Sequence, residues 1–453
     1  MKEVVLLAAG QGSKFWPYQS TRNKCMMPIG NVALLSRTVQ TCLKANVEHI
    51  LIASITHTEQ ILYAFRNVPQ VEVITLQATK GSADTLLQCI PYLKSKDPFV
   101  FYGDTYIHPE DLMGFLQIAR IGQSLVSALK ESALHWIACR IQEESLIEFG
   151  AHQRGDTMTH QWLGGHVNLE FIEQCRKNPH KFTPLKVGVG SPEEAYLEMS
   201  LMDWKESGQS LTVIETQKPS FDIDKPWHAL QANAYVVEEA CLQLTKHHLD
   251  PSSTLDPSAH ITGFIQVGKE SHIGRHVVIT GNVIIGDHTT IENGVVITGP
   301  CIIGDDCHLS DIAKVHAYST IGHHSKLSQG FEFSGMMLNH VYGVHYGEYY
   351  GLIGENTDLG AGTTSGTLRF DDQQTQHNTL GHKETPHDFA NASYLGDYCR
   401  TGVGALLMPG VKVGSNSVVG SGVVLQEDVE DKTLIYQEQT LKKKAWGPSR
   451  YGW

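Results

Sequence analysis

Two glycines, two lysines and three aspartates in this 453-residue chain have the types and spacing to handle a polyphosphate. Gly10 and Gly12 end a short apolar run and stand just before Lys14. Glycines let a backbone turn tightly and bring its N–H groups against phosphate oxygens, and a nearby lysine adds charge. The same pair would also serve a plain tight turn. It is not the dinucleotide fingerprint, because Phe15 stands where the third glycine is needed. Lys24 supplies a second cation, as a triphosphate with separately held phosphates requires. Asp104 follows Tyr102–Gly103, and Asp222 and Asp224 lie far downstream in Phe221–Asp222–Ile223–Asp224. Mg²⁺ takes one or two protein carboxylates and completes its shell with phosphate and water. Asp104 together with a carboxylate of that downstream acidic pair, Asp222 and Asp224, would make such a site.

Those residues need strands to carry them. Val4–Ala9, Ile50–Ile55, Val71–Leu76 and Pro98–Tyr102 read as short buried strands. Helical patterns at Ala33–Leu43, Glu59–Phe65 and from Ala83 alternate with them, which predicts a wound α/β domain. Ligands in such a domain collect at the carboxyl ends of the strands, where both Gly10 and Asp104 fall. Leu125–Ala128, Trp136–Ile141 and Leu211–Thr216 read as further strands, and His152–His160 as a polar turn. Glu193–Ser207 and His228–Leu244 read as helices.

Beyond residue 258 the pattern changes. From Ile261 to Phe333 every sixth residue is apolar, through Val267, Ile273, Ile279, Ile285, Ile291, Ile297, Ile303, Leu309, Val315, Ile321 and Leu327. Period six fits neither a helix nor an isolated strand; it fits a parallel β-helix in which three hexapeptides close one coil. The ladder breaks at Phe333, returns at Ile353 and Leu359, and reappears from Leu395 to Leu425. The expected layout is therefore a domain over 1–245, a linker over 246–258 and a β-helix over 259–435. Insertions are expected near 334–352 and 366–394, and a polar tail over 436–453.

Composition excludes several classes. A formal charge of −13 with no basic stripe excludes nucleic acid as an expected partner. Nine scattered cysteines without a paired spacing suit buried thiols in a reducing compartment rather than a disulfide scaffold. No apolar run is long enough for a membrane span, and the N-terminus lacks a signal-peptide core, so a cytoplasmic location is expected.

The motifs LLAAGQGSKFWP and NKCMMPIG, the Gly81–Ser82–Ala83–Asp84 turn, Tyr102–Gly103–Asp104 and FDIDKPW…ALQAN together resemble the sugar-1-phosphate nucleotidyltransferases. Joined to a left-handed parallel β-helix, the layout is similar to the bacterial and archaeal bifunctional N-acetylglucosamine-1-phosphate uridylyltransferase/glucosamine-1-phosphate acetyltransferases. The resemblance implies Mg²⁺-dependent transfer of a nucleotidyl group, uridylyl by the match of Gln77, from an NTP to a sugar-1-phosphate. It implies nucleotide contacts at Ala9, Gly10, Gly12, Gln77, Gly81 and Ser82, and phosphate contacts at Lys24 and Lys14. Sugar contacts would fall at Gly165 and Glu198, and metal ligands at Asp104 and Asp222. Three departures stand out: Lys14 replaces the usual arginine, Asn23 the usual proline, and the E-K-P segment is missing between 141 and 160.

For the β-helix, the resemblance implies a homotrimer and an acyl-CoA-dependent transfer, with acetyl-CoA as the donor. Its base would be His340, with His345 as the rival. Leu359–Gly360–Ala361–Gly362–Thr363 matches the family turn, but Thr367 replaces its asparagine. A β-helix that only presents the first domain is the competing reading. For the whole chain, the alternatives are the same fold acting on a non-sugar phosphate or phosphonate, use of another NTP, or a non-catalytic nucleotide-sugar-binding subunit.

Overall fold

The computed structural model describes residues 1–128, 137–149, 158–178, 183–184, 189–190 and 195–447. Its first half is a nine-stranded sheet. β1 (Glu3–Ala8), β2 (His49–Ser54), β3 (Val71–Thr75) and β4 (Phe99–Tyr102) run parallel, in the spatial order β3-β2-β1-β4. β5 (Gln123–Ala128), β6 (Ala138–Gln142), β7 (Ser145–Phe149), β8 (His160–His166) and β9 (Thr212–Glu215) extend it as β8-β5-β9-β7-β6. β8 runs antiparallel between β4 and β5. β1 and β2 are buried along their whole length, as strands covered on both faces must be.

Helices α1 (Leu34–Lys44), α2 (Thr58–Phe65), α3 (Ser82–Cys89), α4 (Pro109–Ile118), α5 (Leu169–Gln174) and α6 (Leu197–Glu206) flank the sheet, and α7 (Pro226–Leu242) packs against the β-helix. α4 and β8 are elements that the sequence pattern had not predicted. Of the expected His152–His160 turn, residues 152–157 lie outside the described residues.

The second half is a left-handed parallel β-helix. Ile261, Ile279, Ile297, Val315 and Phe333 stack in register, eighteen residues apart, each pointing into a continuous apolar core. Two boundaries differ from expectation. The stretch 246–258 is not a linker, because Leu249 already pairs with Val267 and Leu255 with Ile273. Nor is 334–352 an insertion. There the strand Phe331–Met337 pairs residue for residue with Gly347–Ile353, a coil of only sixteen. Gly335 (φ 124°) and Gly351 (φ 140°) bend each strand round a corner without the usual turn. A Cβ on Gly335 would sit 2.1 Å from the Gly351 carbonyl oxygen, so only glycine fits there. The six-residue ladder was lost because two corners are shortened.

The second excursion does leave the coil. Ser365 pairs with Leu407, and between them the chain forms a hairpin of His377–Thr379 against His382–Glu384. The two halves of the molecule pack through a shared core of Phe15, Tyr18, Met27, Leu34, Trp227 and Val236 against Met336, Leu338, Leu352 and Tyr394.

Ile279 and Thr280 separate core from surface within one strand, the first wholly buried and the second exposed. Ile279→Ala should destabilise the β-helix by about 2–5 kcal/mol through the cavity it leaves. Thr280→Ala should stay within about 0.5 kcal/mol. Denaturant unfolding of the two variants, followed by circular dichroism, measures the difference.

Candidate nucleotidyl-transfer site

The carboxyl ends of β1 and β4 lie side by side, with Leu7 paired to Tyr102. The Gly103 N–H donates to the Leu7 carbonyl at 2.9 Å. A Cβ on Gly103 would come within 3.1 Å of Cys25 Sγ and 3.3 Å of Ala8, so glycine allows the chain to cross here. Asp104 follows at once. The short strand Phe221–Asp222 runs antiparallel to Thr105–Tyr106, and the Ile223 N–H donates to the Asp104 carbonyl at 3.0 Å. This two-stranded ribbon brings the distant aspartates together. Asp104, Asp222 and Asp224 each offer a carboxylate oxygen, all within 4.8 Å of one another.

Lys24 stands among them. It opens a 3₁₀ turn, Lys24–Met26, and its ammonium lies 2.5 Å from Asp104 Oδ2 and 2.9 Å from Asp224 Oδ1. Lys14 reaches Asp224 Oδ2 at 3.5 Å. Burial alone would lower the Lys24 pKa, but Asp104, Asp224 and Asp222 outweigh it and hold the ammonium well above its ordinary value. Burial, then Asp224 and Asp104, push the Asp222 carboxyl well up. Burial opposes ionisation of Asp224 too, yet Lys24 and then Lys14 carry it below the usual carboxylate range. Like charges at this separation resist ionising together, and a divalent cation relieves that repulsion. The donor set is hard oxygen throughout, which fits Mg²⁺.

The sequence left Asp222 and Asp224 as rivals; the fold brings both to the cluster. Gly12 takes a left-handed conformation (φ 66°) just before the 3₁₀ turn that carries Lys14, while Ala9 is buried and Gly10 exposed at the mouth of β1. Gly81 (φ 126°) packs against the Ala195 backbone, where a Cβ would approach to 2.7 Å. Ser82 Oγ accepts from the Leu197 N–H at 2.9 Å, which seats α3 against α6. Glu198 is buried on α6, and burial followed by its charge raises the Tyr102 phenol. Ser82, Tyr102 and Glu198 thus form a second polar group at the end of β4. Gly165 lies buried within β8. Gln77 is exposed on the bend after β3 and takes no part in the ion pairs of the aspartate cluster.

The β-helix histidines stand apart from this cluster. His340 occupies a turn of the sixteen-residue coil (φ 56°), half-buried, with its ring stacked on His324 at 4.7 Å. His345 is exposed, with Nδ1 3.4 Å from Gln329 Oε1.

Two supports were missed in the sequence. The Asn23 side-chain amide donates to Thr56 O, Ser54 Oγ and Ala8 O, and its oxygen accepts from the Cys25 N–H at 2.9 Å. A side-chain lock on the Lys24 loop therefore stands where a proline would have stiffened it. Arg22, next in line, is buried against the β-helix, with Nη2 2.6 Å from Asp397 Oδ1. Burial would lower the Arg22 pKa, but Asp397 outweighs burial and raises it. Asn23 stood out in the sequence only as a replaced proline, and Arg22 carries no signal because its partners lie more than 300 positions away.

Residues 3–130 match the family model described as nucleotidyl transferase, and residues 265–299 and 395–427 match the hexapeptide repeat of succinyl-transferase. The chain is 27% identical to the bifunctional protein GlmU of Methanococcus vannielii, over 97% of this chain and 98% of the relative. It is 24% identical to the same-named protein of Methanocaldococcus jannaschii over the same shares. With the bifunctional sugar-1-phosphate nucleotidylyltransferase/acetyltransferase of Sulfurisphaera tokodaii it shares 23% identity, over 94% of this chain and 97% of the relative. The chain therefore joins a nucleotidyltransferase domain to a hexapeptide-repeat region and is related, at low identity, to GlmU-like bifunctional proteins. Among the described residues, no helix is long and apolar enough to cross a membrane.

Asp397→Asn would leave the Arg22 guanidinium buried without its nearest carboxylate. Breaking a buried pair from one side costs about 3–5 kcal/mol. Thermal unfolding should register that loss at the interface between the two halves.

Proposed function

We propose that this chain transfers a nucleotidyl group from an NTP to a sugar-1-phosphate and releases pyrophosphate, with Mg²⁺ held by Asp104, Asp222 and Asp224. The observation that carries this reading is Lys24 lodged among three carboxylates at the ends of β1 and β4. A cation-binding acidic cluster and a buried ammonium are what a triphosphate needs on its two sides. Bound Mg²⁺ would supply charge neutralisation across the phosphates. Lys24 and Lys14 would exchange their carboxylate partners for phosphate oxygens, and the amides around Gly10 and Gly12 would hold the rest of the chain of phosphates. An oxygen of the sugar-1-phosphate attacks the α-phosphorus in line, the bond to the bridging oxygen breaks, and its electron pair leaves with pyrophosphate. No side chain becomes covalently attached; positioning and electrostatics do the work.

Uridine is our assignment for the base, supported by Gln77, which resembles a base-contacting glutamine and lies exposed just past β3. Sugar contacts are assigned to Glu198 and Gly165, with Glu198 set beside Tyr102 and Ser82. The relatives' names motivate an acyl-CoA-dependent transfer by the β-helix, with His340 as its base and acetyl-CoA as donor. A trimer through the β-helix completes the assignment. It is supported by Leu406 and Val424, stacked on adjacent coils with their side chains outward.

Pyrophosphate release is measured with Mg²⁺ across the common nucleoside triphosphates and a panel of sugar-1-phosphates. Turnover with UTP and one sugar is expected, lost in Asp104→Ala and about 10²–10³-fold lower in Lys24→Ala. Turnover with a different triphosphate would overturn the uridine assignment, and none with any pair would overturn the transferase. Thiol release from acetyl-CoA with an amino-sugar phosphate, abolished in His340→Ala, is the expected result for the β-helix. Absence of thiol release from the wild type would remove that second activity.

A further inference from the structure

We propose that Glu384, on the hairpin that leaves the β-helix, is a positioning residue for the metal-binding aspartates, so that the β-helix completes the nucleotidyl-transfer site. This rests on the transferase reading of the aspartate cluster.

Lys225 follows Asp224 directly, in an extended conformation at the start of α7 (φ −138°, ψ 157°). Along an extended segment, alternate side chains point opposite ways. Asp222 and Asp224 face the cluster; Ile223 and Lys225 face away, and both are almost wholly buried, at 0% and 1% exposed. The Lys225 ammonium ends on the Glu384 carboxylate.

The hairpin is itself fixed. The His377 ring packs 4.9 Å from Trp227 and shares a 2.7 Å hydrogen bond with the Ala390 carbonyl. Lys412, on a neighbouring coil, donates to the Asn378 carbonyl at 3.3 Å. The ammonium groups of Lys225 and Lys412 each lie 5.4 Å from the Trp227 ring centre, and Glu384 acts on both. Without the Glu384 charge, a buried ammonium one residue from Asp224 would lose the carboxylate that draws it away from the cluster. The backbone that carries Asp224 would lose that tether, and the Asp224 carboxylate its fixed orientation in the cluster. Removing groups that orient a metal's ligands costs about 10–100-fold in affinity.

The test uses Mn²⁺ alone as probe, its binding to the full chain followed by electron paramagnetic resonance, beside pyrophosphate release and thermal unfolding. Glu384→Gln should weaken Mn²⁺ about tenfold and raise the Mn²⁺ or Mg²⁺ concentration for half-maximal release. Glu384→Asp, which keeps the charge one methylene short, should fall between it and the wild type. Asn282→Ala is the interface control, since Asn282 Nδ2 donates to the Cys241 and Leu244 carbonyls at the far end of α7. It should shift unfolding without moving Mn²⁺ affinity. Wild-type affinity in Glu384→Gln overturns the proposal, as does equal weakening in Asn282→Ala. If Glu384→Gln does not fold, wild-type affinity in Glu384→Asp overturns it. A wild type that neither binds Mn²⁺ nor releases pyrophosphate overturns the transferase reading, and the proposal falls with it.

Discussion

Three carboxylates drawn within 4.8 Å of one another repel, and the chain is built to hold them there regardless. Left in water they would separate; inside a fold, each must be tied by its backbone and balanced by a cation. The ribbon of Thr105–Tyr106 against Phe221–Asp222 supplies the ties, and Lys24 and Lys14 supply the balance. Because Lys24 is itself buried, its loop cannot drift, and the Asn23 amide and the Arg22–Asp397 pair fix that loop from both sides. The Arg22–Asp397 pair thereby joins this electrostatic requirement to the interface between the two halves, whose bulk is the apolar core around Trp227 and Tyr394.

Much of the candidate site was legible because most of its parts sit at strand ends. Gly10, Lys24, Asp104 and the Asp222–Asp224 segment could each be found from local pattern, and a wound sheet has only one edge where they could meet. The choice between Asp222 and Asp224 was not legible. An extended segment sends both the same way, and only the ribbon register shows that both reach the cluster. Arg22, Asp397 and Glu384 left no mark at all. A charged residue in a surface-like sequence reads as solvated unless its partner is known, and these partners come from the other half of the chain.

The β-helix repeats the lesson in a different form. Leu249 and Leu255 continue the six-residue ladder backwards from Ile261, in phase, yet the stretch around the turn-forming dipeptide Asp250–Pro251 was expected to be a linker. The signal was there and the turn chemistry outweighed it. At Phe333 the reverse happened: the ladder vanished from the sequence while the coil went on. Its step fell from six residues to four at Gly335 and again at Gly351, and a fixed period cannot register a shortened corner.

The hydrogen bond from the Trp16 indole to Asp431, and that from Ser415 to the Pro17 carbonyl, join the start of the chain to its last coils. Synthesis runs in one direction, and domains fold as they emerge. Trp16 leaves the ribosome 415 residues ahead of its partner. At about 5–20 residues per second that is an interval of roughly 20–80 s. During it the sheet of the first domain can form, but Trp16 and Pro17, just past the glycine loop, lack these two partners. A chain released before its final coils would carry every residue of the aspartate cluster and still lack the two hydrogen bonds that tie Trp16 and Pro17 to the β-helix.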